Sequence, residues 1–464
     1  MSSRGIARLA AVFIVLFVIL VGAQLYVQVF WGPALQSSKY NPFRTNVAQD
    51  RGTIVSSDGT VLAESIGRRR VYPLGAQLAQ TIGYLSPRYG ESGLEASLDR
   101  FLAAPLVASN PATQLRAILS PPARRPRGAR IVTTIDLPTQ RALFTDLSQY
   151  ARGAGIVLDP STGEVLALAS VPSFDPNEID AVFPSLNSDS RSPLLNRATY
   201  GLYPPGSTFK IFTAATALDD GIITPQTTFV DNGSLHVGNF TVHDNEGEAT
   251  GTRDLAGAFA LSSNVDFAQI ALDIGTARWL DAAAKWRLGA SIPFDIPTES
   301  ARIPSESEML PGVLAQLGFG QANLLVTPLQ MALVGATVAA GGRMPRPVLV
   351  REIDTSDRRI VTPHQPLAEP ISGETAGEVT ALMIAVVQRG TGTAASLRNT
   401  SVAGKTGTAT NPVGRAHAWF VAFAPAQAPR VALAIVVENA GYGGTVAAPI
   451  ARDVLRIALE RGRR

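Results

Sequence analysis

The chain has 464 residues, of which 46% are hydrophobic, 17% charged and 7% aromatic. It is therefore long enough for two or three domains with a large packed core, and its composition excludes disorder throughout. The net charge is only +3, so no basic stripe for binding nucleic acid is expected. The absence of cysteine excludes disulfides, thiolate metal sites, iron–sulfur clusters and cysteine nucleophiles.

Lysine is rare in this chain, so a lysine that falls in a motif is informative. All basic residues are arginine except four: Lys39, Lys210, Lys285 and Lys405. Histidine is equally rare, and no two histidines have the spacing of an H-E-x-x-H zinc motif. We therefore expect neither a metal site nor a cofactor.

The amino-terminal region contains an uncharged run from residue 9 to residue 38. A bilayer core of about 30 Å needs about 20 mostly apolar residues, so the run predicts a transmembrane anchor at residues 9–31 after a cytoplasmic tail at residues 1–8. Tyr26 and Trp31 lie where aromatic residues are usually found at a membrane surface. The rest of the chain is then expected to be extracytoplasmic, in a single-pass protein of the cell membrane.

Two other interpretations of this run stay open. It could form a buried helix, or it could be a signal peptide that is cleaved near Val21-Gly22-Ala23. The positive-inside rule does not settle the orientation, because basic residues flank the run on both sides: Arg4 and Arg8 before it, and Lys39, Arg44 and Arg51 after it. We place the amino end in the cytoplasm because the rest of the chain has the character of an exported domain.

Residues 34–130 have the pattern of a small domain made of short strands and helices. Apolar and polar residues alternate on both sides of Asp58-Gly59, which predicts a β-hairpin. A stretch rich in proline and arginine at residues 121–128 predicts a linker or surface loop. From residue 131 the sequence becomes more apolar and more regular, which predicts a second, larger domain at residues 131–464.

A serine and a lysine three residues apart form the first chemical motif, in Tyr203-Pro-Pro-Gly-Ser-Thr-Phe-Lys210. Ser207 is predicted to open a helix, and Lys210 then lies on the same helix face. A serine hydroxyl becomes a nucleophile when a neighbouring base takes its proton, and lysine can be that base only when it is held neutral. Burial and a second nearby cation both favour the neutral amine. Taken alone, a serine and a lysine at this spacing are as typical of the exposed face of an ordinary surface helix as of a catalytic pair.

Two further motifs follow in the chain. Ser262-Ser-Asn264 has the pattern S-x-N, which by itself is usual for a helix cap or a turn. Lys405-Thr-Gly-Thr408 lies among small residues typical of a strand edge, and a Lys-Thr-Gly triplet is expected only about 0.03 times by chance in this chain. The order S-x-x-K, S-x-N and K-T-G uses two of the four lysines, which argues against coincidence.

These three motifs resemble those of the penicillin-interacting serine D,D-transpeptidases. Other phrases similar to that family extend the resemblance over nearly the whole chain: residues 155–167, 173–177, 318–321, 327–330 and 417–423. Residues 51–54, 58–59, 62–63 and 93–95 resemble the pedestal of class B penicillin-binding proteins. Within that class, the chain is most similar to the penicillin-binding protein A group of actinobacteria.

The resemblance implies a fold of the α/β class. This is the penicillin-recognising serine transpeptidase fold, in which a mixed α/β sheet and an all-helical subdomain enclose the site between them. The resemblance also implies an α+β pedestal domain before the catalytic domain and one transmembrane helix.

The resemblance further assigns roles to the motif residues. Ser207 is expected to be the acylated nucleophile, with Lys210 as its general base. Ser262 is expected to relay a proton to the leaving group, and Asn264 to hydrogen-bond the peptide amide of the substrate. Lys405 is expected to supply the second cation that keeps Lys210 neutral.

The residues after Lys405 are expected to bind the substrate. These are Thr406, Gly407 and Thr408, and the two threonines would hold the substrate carboxylate. The backbone N–H groups of Ser207 and Thr408 would form the oxyanion hole. Trp419, on the strand that follows, is expected to be a core residue.

The function implied is that of a peptidoglycan D,D-transpeptidase, which cross-links stem peptides through a serine acyl-enzyme and is inhibited by β-lactams. The expected partners are peptidoglycan stem peptides, β-lactams, the membrane and a glycosyltransferase of the RodA/FtsW type. Two alternatives stay open: a D,D-carboxypeptidase or β-lactamase-like hydrolase, and a non-catalytic scaffold or β-lactam sensor. A class A β-lactamase would carry aspartate where this chain has Ser263. The intact Ser207, Lys210 and Lys405 argue against a silent scaffold.

Overall fold

The computed structural model describes residues 3–27, 51–103, 127–244, 249, 251–411 and 413–461. The start of the predicted pedestal, at residues 34–50, and most of the predicted linker lie outside these ranges. Helix α1 (Ser3–Tyr26) begins the described chain, and its large apolar side chains are exposed, with Phe17 at 66%. No helix within these ranges is both long and apolar enough to cross a membrane, so the predicted single span is not confirmed.

Short elements make up residues 51–103 and 127–133. The strands are β1 (Ile54–Val55), β2 (Val61–Ile66), β3 (Arg69–Val71), β4 (Leu85–Ser86), β5 (Gly90–Glu91) and β6 (Arg130–Thr133). The helices are α2 (Ala79–Ile82), α3 (Gly93–Ser97) and α4 (Asp99–Leu102). Strands β1 and β2 pair antiparallel around Asp58-Gly59, which confirms the predicted hairpin. Gly59 has a φ of 89°, a conformation that glycine adopts without steric strain.

The larger part of the chain, from residue 137 onward, contains more helices and strands, and several of them are longer. The helices are α5 (Leu137–Leu147), α6 (Ile179–Ser188), α7 (Arg197–Tyr200), α8 (Lys210–Asp219), α9 (Leu255–Leu261), α10 (Asn264–Lys285), α11 (Pro311–Leu317), α12 (Pro328–Ala339), α13 (Gly373–Arg389) and α14 (Ala447–Leu459). The strands are β7 (Gly153–Leu158), β8 (Val165–Val171), β9 (Thr228–Asp231), β10 (Ser234–Val237), β11 (Phe240–His243), β12 (Gly251–Asp254), β13 (Met344–Pro345), β14 (Val350–Asp354), β15 (Arg359–Val361), β16 (Pro366–Ala368), β17 (Ala403–Ala409), β18 (His417–Ala424) and β19 (Val431–Val437).

A six-stranded sheet joins three separate regions of the chain, in the order β15-β14-β6-β1-β2-β3. Strand β6 pairs parallel with β1, with Ile131 opposite Ile54, and β14 pairs antiparallel with β6. Asn177 provides a second connection between the amino-terminal part and the rest. Its carboxamide donates to the carbonyl of Tyr72 at 3.0 Å and accepts the N–H of Tyr72 at 2.9 Å. The amino-terminal part is therefore held to the larger part by backbone and side-chain hydrogen bonds.

A buried ion-pair cluster lies inside the amino-terminal part. Arg51, only 3% exposed, places Nε 2.7 Å from Glu95 Oε2, and Arg70 Nε lies 2.6 Å from the other oxygen of the same carboxylate. Arg51 Nη1 also contacts Asp99 Oδ1 at 2.5 Å. Two of the phrases that resemble the class B pedestal thus meet at this cluster.

An antiparallel sheet of five strands, in the order β17-β18-β19-β7-β8, forms the centre of the larger part. On β18, Trp419 and Val421 belong to the main core, which also contains residues of α8 and α12. The alternate residues Phe420 and Ala422 pack with Leu143 of α5 and with α14 on the other face. Because both faces are covered, strands β7, β8, β18 and β19 are apolar along nearly their whole length. Strand β17, which contains Lys405, lies at the edge of the sheet.

Helices form the other side of the larger part. Helix α8 is buried along nearly its whole length, which suits its run of alanine and threonine. Aromatic rings of three residues pack between α8, α10 and the turn that follows α10. Phe212 lies 5.6 Å from Trp279 and 5.8 Å from Trp286, measured between ring centroids. This packing fixes the start of α8 relative to α10.

Candidate active site

The nucleophile motif lies at the start of α8. The sequence predicts that Ser207 opens the helix, but Ser207 instead lies in a 3₁₀ turn, Gly206–Phe209, that runs directly into Lys210. Such turns are frequent at helix starts, and Gly206 permits this one with a φ of 53°. The N–H of Gly206 donates to the carbonyl of Gly320 at 2.9 Å. The turn leaves Ser207 half-buried and lining a cleft.

Lys210 is completely buried and donates to three acceptors. Its Nζ lies 2.6 Å from the carbonyl oxygen of Ser262, 3.2 Å from Ser262 Oγ and 2.9 Å from Asn264 Oδ1. Burial lowers the pKa of Lys210 to about 7, although the carboxylates of Asp244 and Asp266 oppose this shift. None of the three bonds goes to Ser207. In unliganded enzymes such catalytic contacts are often long and tighten only when substrate binds.

Ser262 links the two buried lysines of the site. Its Oγ accepts from Lys405 Nζ at 2.8 Å as well as from Lys210, and a hydroxyl oxygen has the two lone pairs that this needs. Burial, and then the charge on Lys210, lower the pKa of Lys405 well below its ordinary value. A proton on one lysine therefore disfavours a proton on the other. Ser262 itself follows α9 in a left-handed conformation, with φ 65° and ψ 41°.

The K-T-G motif lies on the edge strand β17. A Cβ on Gly407 would lie 2.9 Å from the carbonyl oxygen of Pro205 and 2.9 Å from Cβ of Trp419, so only glycine fits there. This lets the strand approach the turn that carries the nucleophile. Trp419 is fully buried, as predicted. Thr406 Oγ1 lies 2.6 Å from Thr391 Oγ1, which fixes the orientation of the Thr406 hydroxyl.

The motifs surround an open cleft of about 480 Å³. Five of the predicted site residues line it: Ser207, Ser262, Asn264, Thr406 and Thr408. Lys210 and Lys405 lie behind the wall of the cleft, where both donate hydrogen bonds to Ser262 Oγ. The sequence reasoning did not single out several other lining residues: Thr391, Thr393, Tyr442 and Thr445. Glycine next to hydroxyl residues, in the runs 390–393 and 441–445, is the signal that could have indicated most of them.

A group of charged residues lies behind Asn264, and the sequence reasoning missed it. Asp244 Oδ1 accepts the N–H of Asn264 and, at 3.1 Å, that of the next residue. Arg253 Nη2 donates to the buried Asp231 at 3.2 Å, and Arg253 Nε lies 3.6 Å from Asp266 Oδ2. Burial, and then a hydrogen bond with Asp231, raise the pKa of Asp244 to about 6. No local motif marks these residues, because they meet only in the folded chain.

The part of the chain that the structure describes has no group of three or more histidine, aspartate or glutamate side chains that could hold a metal ion.

His417, at the start of β18, makes a hydrogen bond to the backbone. Its Nδ1 accepts the N–H of Asn439 at 3.1 Å, and burial lowers its pKa. The imidazole is therefore a neutral acceptor that connects β18 to the segment after β19.

Comparisons with known sequences give consistent matches. Residues 153–456 match the family model described as the penicillin binding protein transpeptidase domain, and residues 51–120 match the penicillin binding protein A dimerisation domain. The chain is 34% identical to the peptidoglycan D,D-transpeptidase PbpA of Mycolicibacterium smegmatis, over 99% of this chain and 100% of that protein. It is 33% identical to PbpA of Mycobacterium tuberculosis, over 99% of both chains.

Solved structures give the same result. The D,D-transpeptidase domain of a peptidoglycan glycosyltransferase from Eggerthella lenta has a TM-score of 0.81 and 34% identity, covering 89% of this chain and 99% of that one. Penicillin-binding protein A from M. tuberculosis, as its ceftriaxone acyl-enzyme complex, has a TM-score of 0.80 and 32% identity, covering 88% and 98%.

Proposed function

The chain belongs to the penicillin-binding protein transpeptidase family, and from this we infer that it is a peptidoglycan D,D-transpeptidase. It joins stem peptides through a serine acyl-enzyme, and β-lactams acylate the same serine. One observation carries the assignment of the site. Two fully buried lysines, Lys210 and Lys405, meet at the hydroxyl of Ser262, beside a cleft that Ser207 lines.

Acylation begins with proton transfer from Ser207 to Lys210. The neutral amine takes the hydroxyl proton while Ser207 Oγ attacks the carbonyl carbon of the penultimate D-alanine, and a C–O bond forms. A pKa of about 7 leaves much of Lys210 neutral near neutral pH, whereas an ordinary lysine is almost wholly protonated there. The N–H groups of Ser207 and Thr408 stabilise the carbonyl oxygen as it gains negative charge.

Release of D-alanine requires a proton on the leaving nitrogen. Because Ser262 accepts hydrogen bonds from both lysines, it passes the proton from Lys210 to that nitrogen while the C–N bond breaks. Lys405 helps by donating to Ser262 Oγ at 2.8 Å, which holds that hydroxyl in place for the transfer. The acyl group remains on Ser207 as an ester.

An amine then resolves the acyl-enzyme. The amino group of a neighbouring stem peptide attacks the ester carbonyl and loses a proton to Lys210, and Ser207 regains its hydrogen as the C–O bond breaks. A new peptide bond then joins the two stems. The carboxamide of Asn264 and the hydroxyls of Thr406 and Thr408 hold the donor peptide in position for both steps, and Gly407 allows the strand to lie close to the nucleophile.

We further propose that residues 9–31 anchor the chain in the cell membrane, with the catalytic part outside the cytoplasm. The proposal is supported by the absence of charge from residue 9 to residue 38 and by the exposed apolar side chains of α1, from 41% at Val21 to 66% at Phe17. A membrane glycosyltransferase of the RodA/FtsW type is the proposed partner, on the strength of the family resemblance.

Labelling with a fluorescent penicillin tests the mechanism. The wild-type chain should form a stable covalent product, and Ser207→Ala should form none. Ser161→Ala, at an exposed turn, is the matched control and should label like the wild type. An unlabelled wild type, or equal labelling of Ser207→Ala, would contradict the mechanism.

A stem-peptide thioester with an added acceptor amine separates transfer from hydrolysis. A transpeptidase should form an amide product whose share rises with the amine concentration, because the amine and water compete for one acyl-enzyme. Release of free acid alone, at every amine concentration, would point to a carboxypeptidase.

Deletion of residues 1–31 tests the anchor. In fractionated cells, the full chain should be found with the membranes, and the shortened chain should be released yet still bind penicillin. A full chain in the soluble fraction, or a shortened chain that stays with the membranes, would contradict the proposed anchor.

A further inference from the structure

Two adjacent residues at the end of β11 hold Asn264 from two sides. Asp244 Oδ1 accepts the backbone N–H of Asn264, and it also accepts the N–H of Val265 at 3.1 Å. The carbonyl of His243 accepts the side-chain N–H of Asn264 at 3.1 Å. The backbone and the carboxamide of Asn264 are therefore both fixed before any substrate binds.

The bonds to Asp244 supplement the helix cap of α10 and do not replace it. Ser263 is the cap, since its Oγ accepts the N–H of Asp266 at 3.0 Å. An α-helix leaves its first N–H groups without partners inside the helix, and Asp244 binds two that Ser263 does not reach. Loss of the Asp244 carboxylate would therefore leave the cap in place and release the backbone of Asn264.

Asn264 connects this anchor to the base, because its Oδ1 accepts from Lys210 Nζ at 2.9 Å. We propose that Asp244 is a positioning residue for acyl transfer: it fixes Asn264 and, through the Asn264 carboxamide, the amine of Lys210. The expected effect on the rate rests on the proposed function of the chain. The contacts themselves do not depend on that function.

Ionisable groups on the neighbouring elements act on Asp244 directly or through one partner. Asp231 on β9 and Lys210 on α8 interact with Asp244 itself, and His243 precedes it at the end of β11. Arg253 on β12 pairs with Asp231 and lies near Asp266 on α10, and Lys405 on β17 shares the Ser262 hydroxyl with Lys210. Negative charge on Asp244 raises the pKa of Lys210, which burial otherwise lowers. Removing that charge should lower the pKa of Lys210 further, so its amine should stay neutral to lower pH.

Three variants separate positioning from stability. Asp244→Ala removes the acceptor, whereas Asp244→Asn keeps an acceptor oxygen and removes the charge. Asp136→Ala is the matched control, because Asp136 caps α5 by accepting the N–H of Thr139 at 3.1 Å and does not line the cleft. End-point labelling with fluorescent penicillin counts the competent molecules, and the labelling rate then gives acylation per competent molecule.

Asp244→Ala should slow acylation roughly 10- to 100-fold, the effect of a misplaced catalytic group, while Asp136→Ala should not slow it. Asp244→Asn should keep most of the rate, and the acidic limb of its pH profile should move to lower pH. Since the chain has four lysines, NMR of ¹³Cε-labelled lysine can follow Lys210, whose signal is identified by its absence in Lys210→Met. Its titration midpoint should fall in Asp244→Asn.

Three results would each overturn the proposal. They are an unchanged rate in Asp244→Ala, an equal loss of rate in Asp136→Ala, and an unchanged Lys210 midpoint in Asp244→Asn. A wild type that is never labelled would instead contradict the proposed function, and the NMR midpoint would still decide the role of Asp244.

Discussion

Two regions of this molecule bury positive charge, and they do so in opposite ways. In the amino-terminal part, Arg51 and Arg70 share the carboxylate of Glu95, at 2.7 and 2.6 Å. At the site, Lys210 and Lys405 are fully buried, and within the described chain their hydrogen bonds go to hydroxyl, carbonyl and carboxamide oxygens. One region pairs its cations directly with a carboxylate, whereas the other gives its lysines neutral hydrogen-bond partners.

The comparison shows that burial alone does not determine whether a base keeps its proton. Arginine is always charged in proteins, so its burial requires a carboxylate, and the cluster around Glu95 supplies one. A buried lysine whose hydrogen bonds go to neutral acceptors loses hydration, so its pKa falls. For Lys210 the nearby carboxylates of Asp244 and Asp266 offset only part of this fall. The first arrangement stabilises charged side chains inside the fold, and the second lowers the pKa of an amine, as the proposed role of Lys210 as a general base requires.

Removing the base should have the largest effect. Lys210→Met keeps the length of the side chain without the amine, so acylation by fluorescent penicillin should fall roughly 10²- to 10⁴-fold, the usual contribution of a general base. The protein should stay folded, because a desolvated amine is replaced by an apolar group. The measurement is the labelling rate at pH 8.

Lys285→Met is the control for this variant. Lys285 is an exposed residue that pairs with Asp281 one helical turn away, at 2.9 Å. Its loss should leave labelling unchanged. A Lys210→Met variant that labels at the wild-type rate would show that another group acts as the base.

Breaking the arginine cluster should reduce stability and not catalysis. Glu95→Gln leaves Arg51 and Arg70 buried without their shared carboxylate, which should lower the free energy of unfolding by roughly 3–5 kcal/mol in urea titrations. Acylation per folded molecule should not change. Asp281→Asn, in the exposed pair with Lys285, should lower it by less than about 1 kcal/mol. Equal losses in the two variants would argue against a role for burial.

The pH dependence of the acylation rate should distinguish Lys210 from a lysine with an ordinary pKa. Lys210 must be neutral to accept a proton, so the acylation rate should rise as the pH increases through about 7 and then level off. A lysine with an unperturbed pKa, about 10.4, would place this rise more than three pH units higher. The measurement is the second-order labelling constant between pH 5.5 and 9, and a flat profile would contradict the assignment of Lys210.

The smallest effect is expected for the contact between two neutral hydroxyl groups, those of Thr391 and Thr406. Thr391→Val removes the 2.6 Å contact with Thr406, a hydrogen bond worth about 1 kcal/mol or roughly fivefold. The loss should raise KM for a stem-peptide thioester and leave kcat unchanged, since the proposed role of Thr406 is to bind substrate and not to transfer protons. Thr380→Val, which removes a hydroxyl bond within α13, should change neither constant.

The sequence predicted those parts of the fold that neighbouring residues determine. The hairpin at Asp58-Gly59 is confirmed because turn chemistry is local. Lys405-Thr-Gly lies on an edge strand, as its small neighbours indicated. The six-stranded sheet could not be predicted, because β14 and β15 join it from far along the chain and no local pattern encodes that pairing. The proposed domain boundaries remain predictions.

The sequence likewise predicted part of the site. The rare lysines pointed to Lys210 and Lys405, and the structure brings both to Ser262. Their chemical roles remain predictions. Asp244 and Arg253 were missed because aspartate and arginine are common in this chain, and only the packing of β9, β11 and β12 against α10 gives these two their partners.

The left-handed backbone of Ser262 limits how this protein can be stabilised by mutation. A residue with a side chain is destabilised by roughly 1–2 kcal/mol in the left-handed region, where glycine is not. Glycine at this position would therefore stabilise the backbone while deleting the one hydroxyl that both buried amines contact. A glycine substitution that raises thermal stability at this position is expected to lower activity, so selection for heat resistance and selection for activity act in opposite directions here.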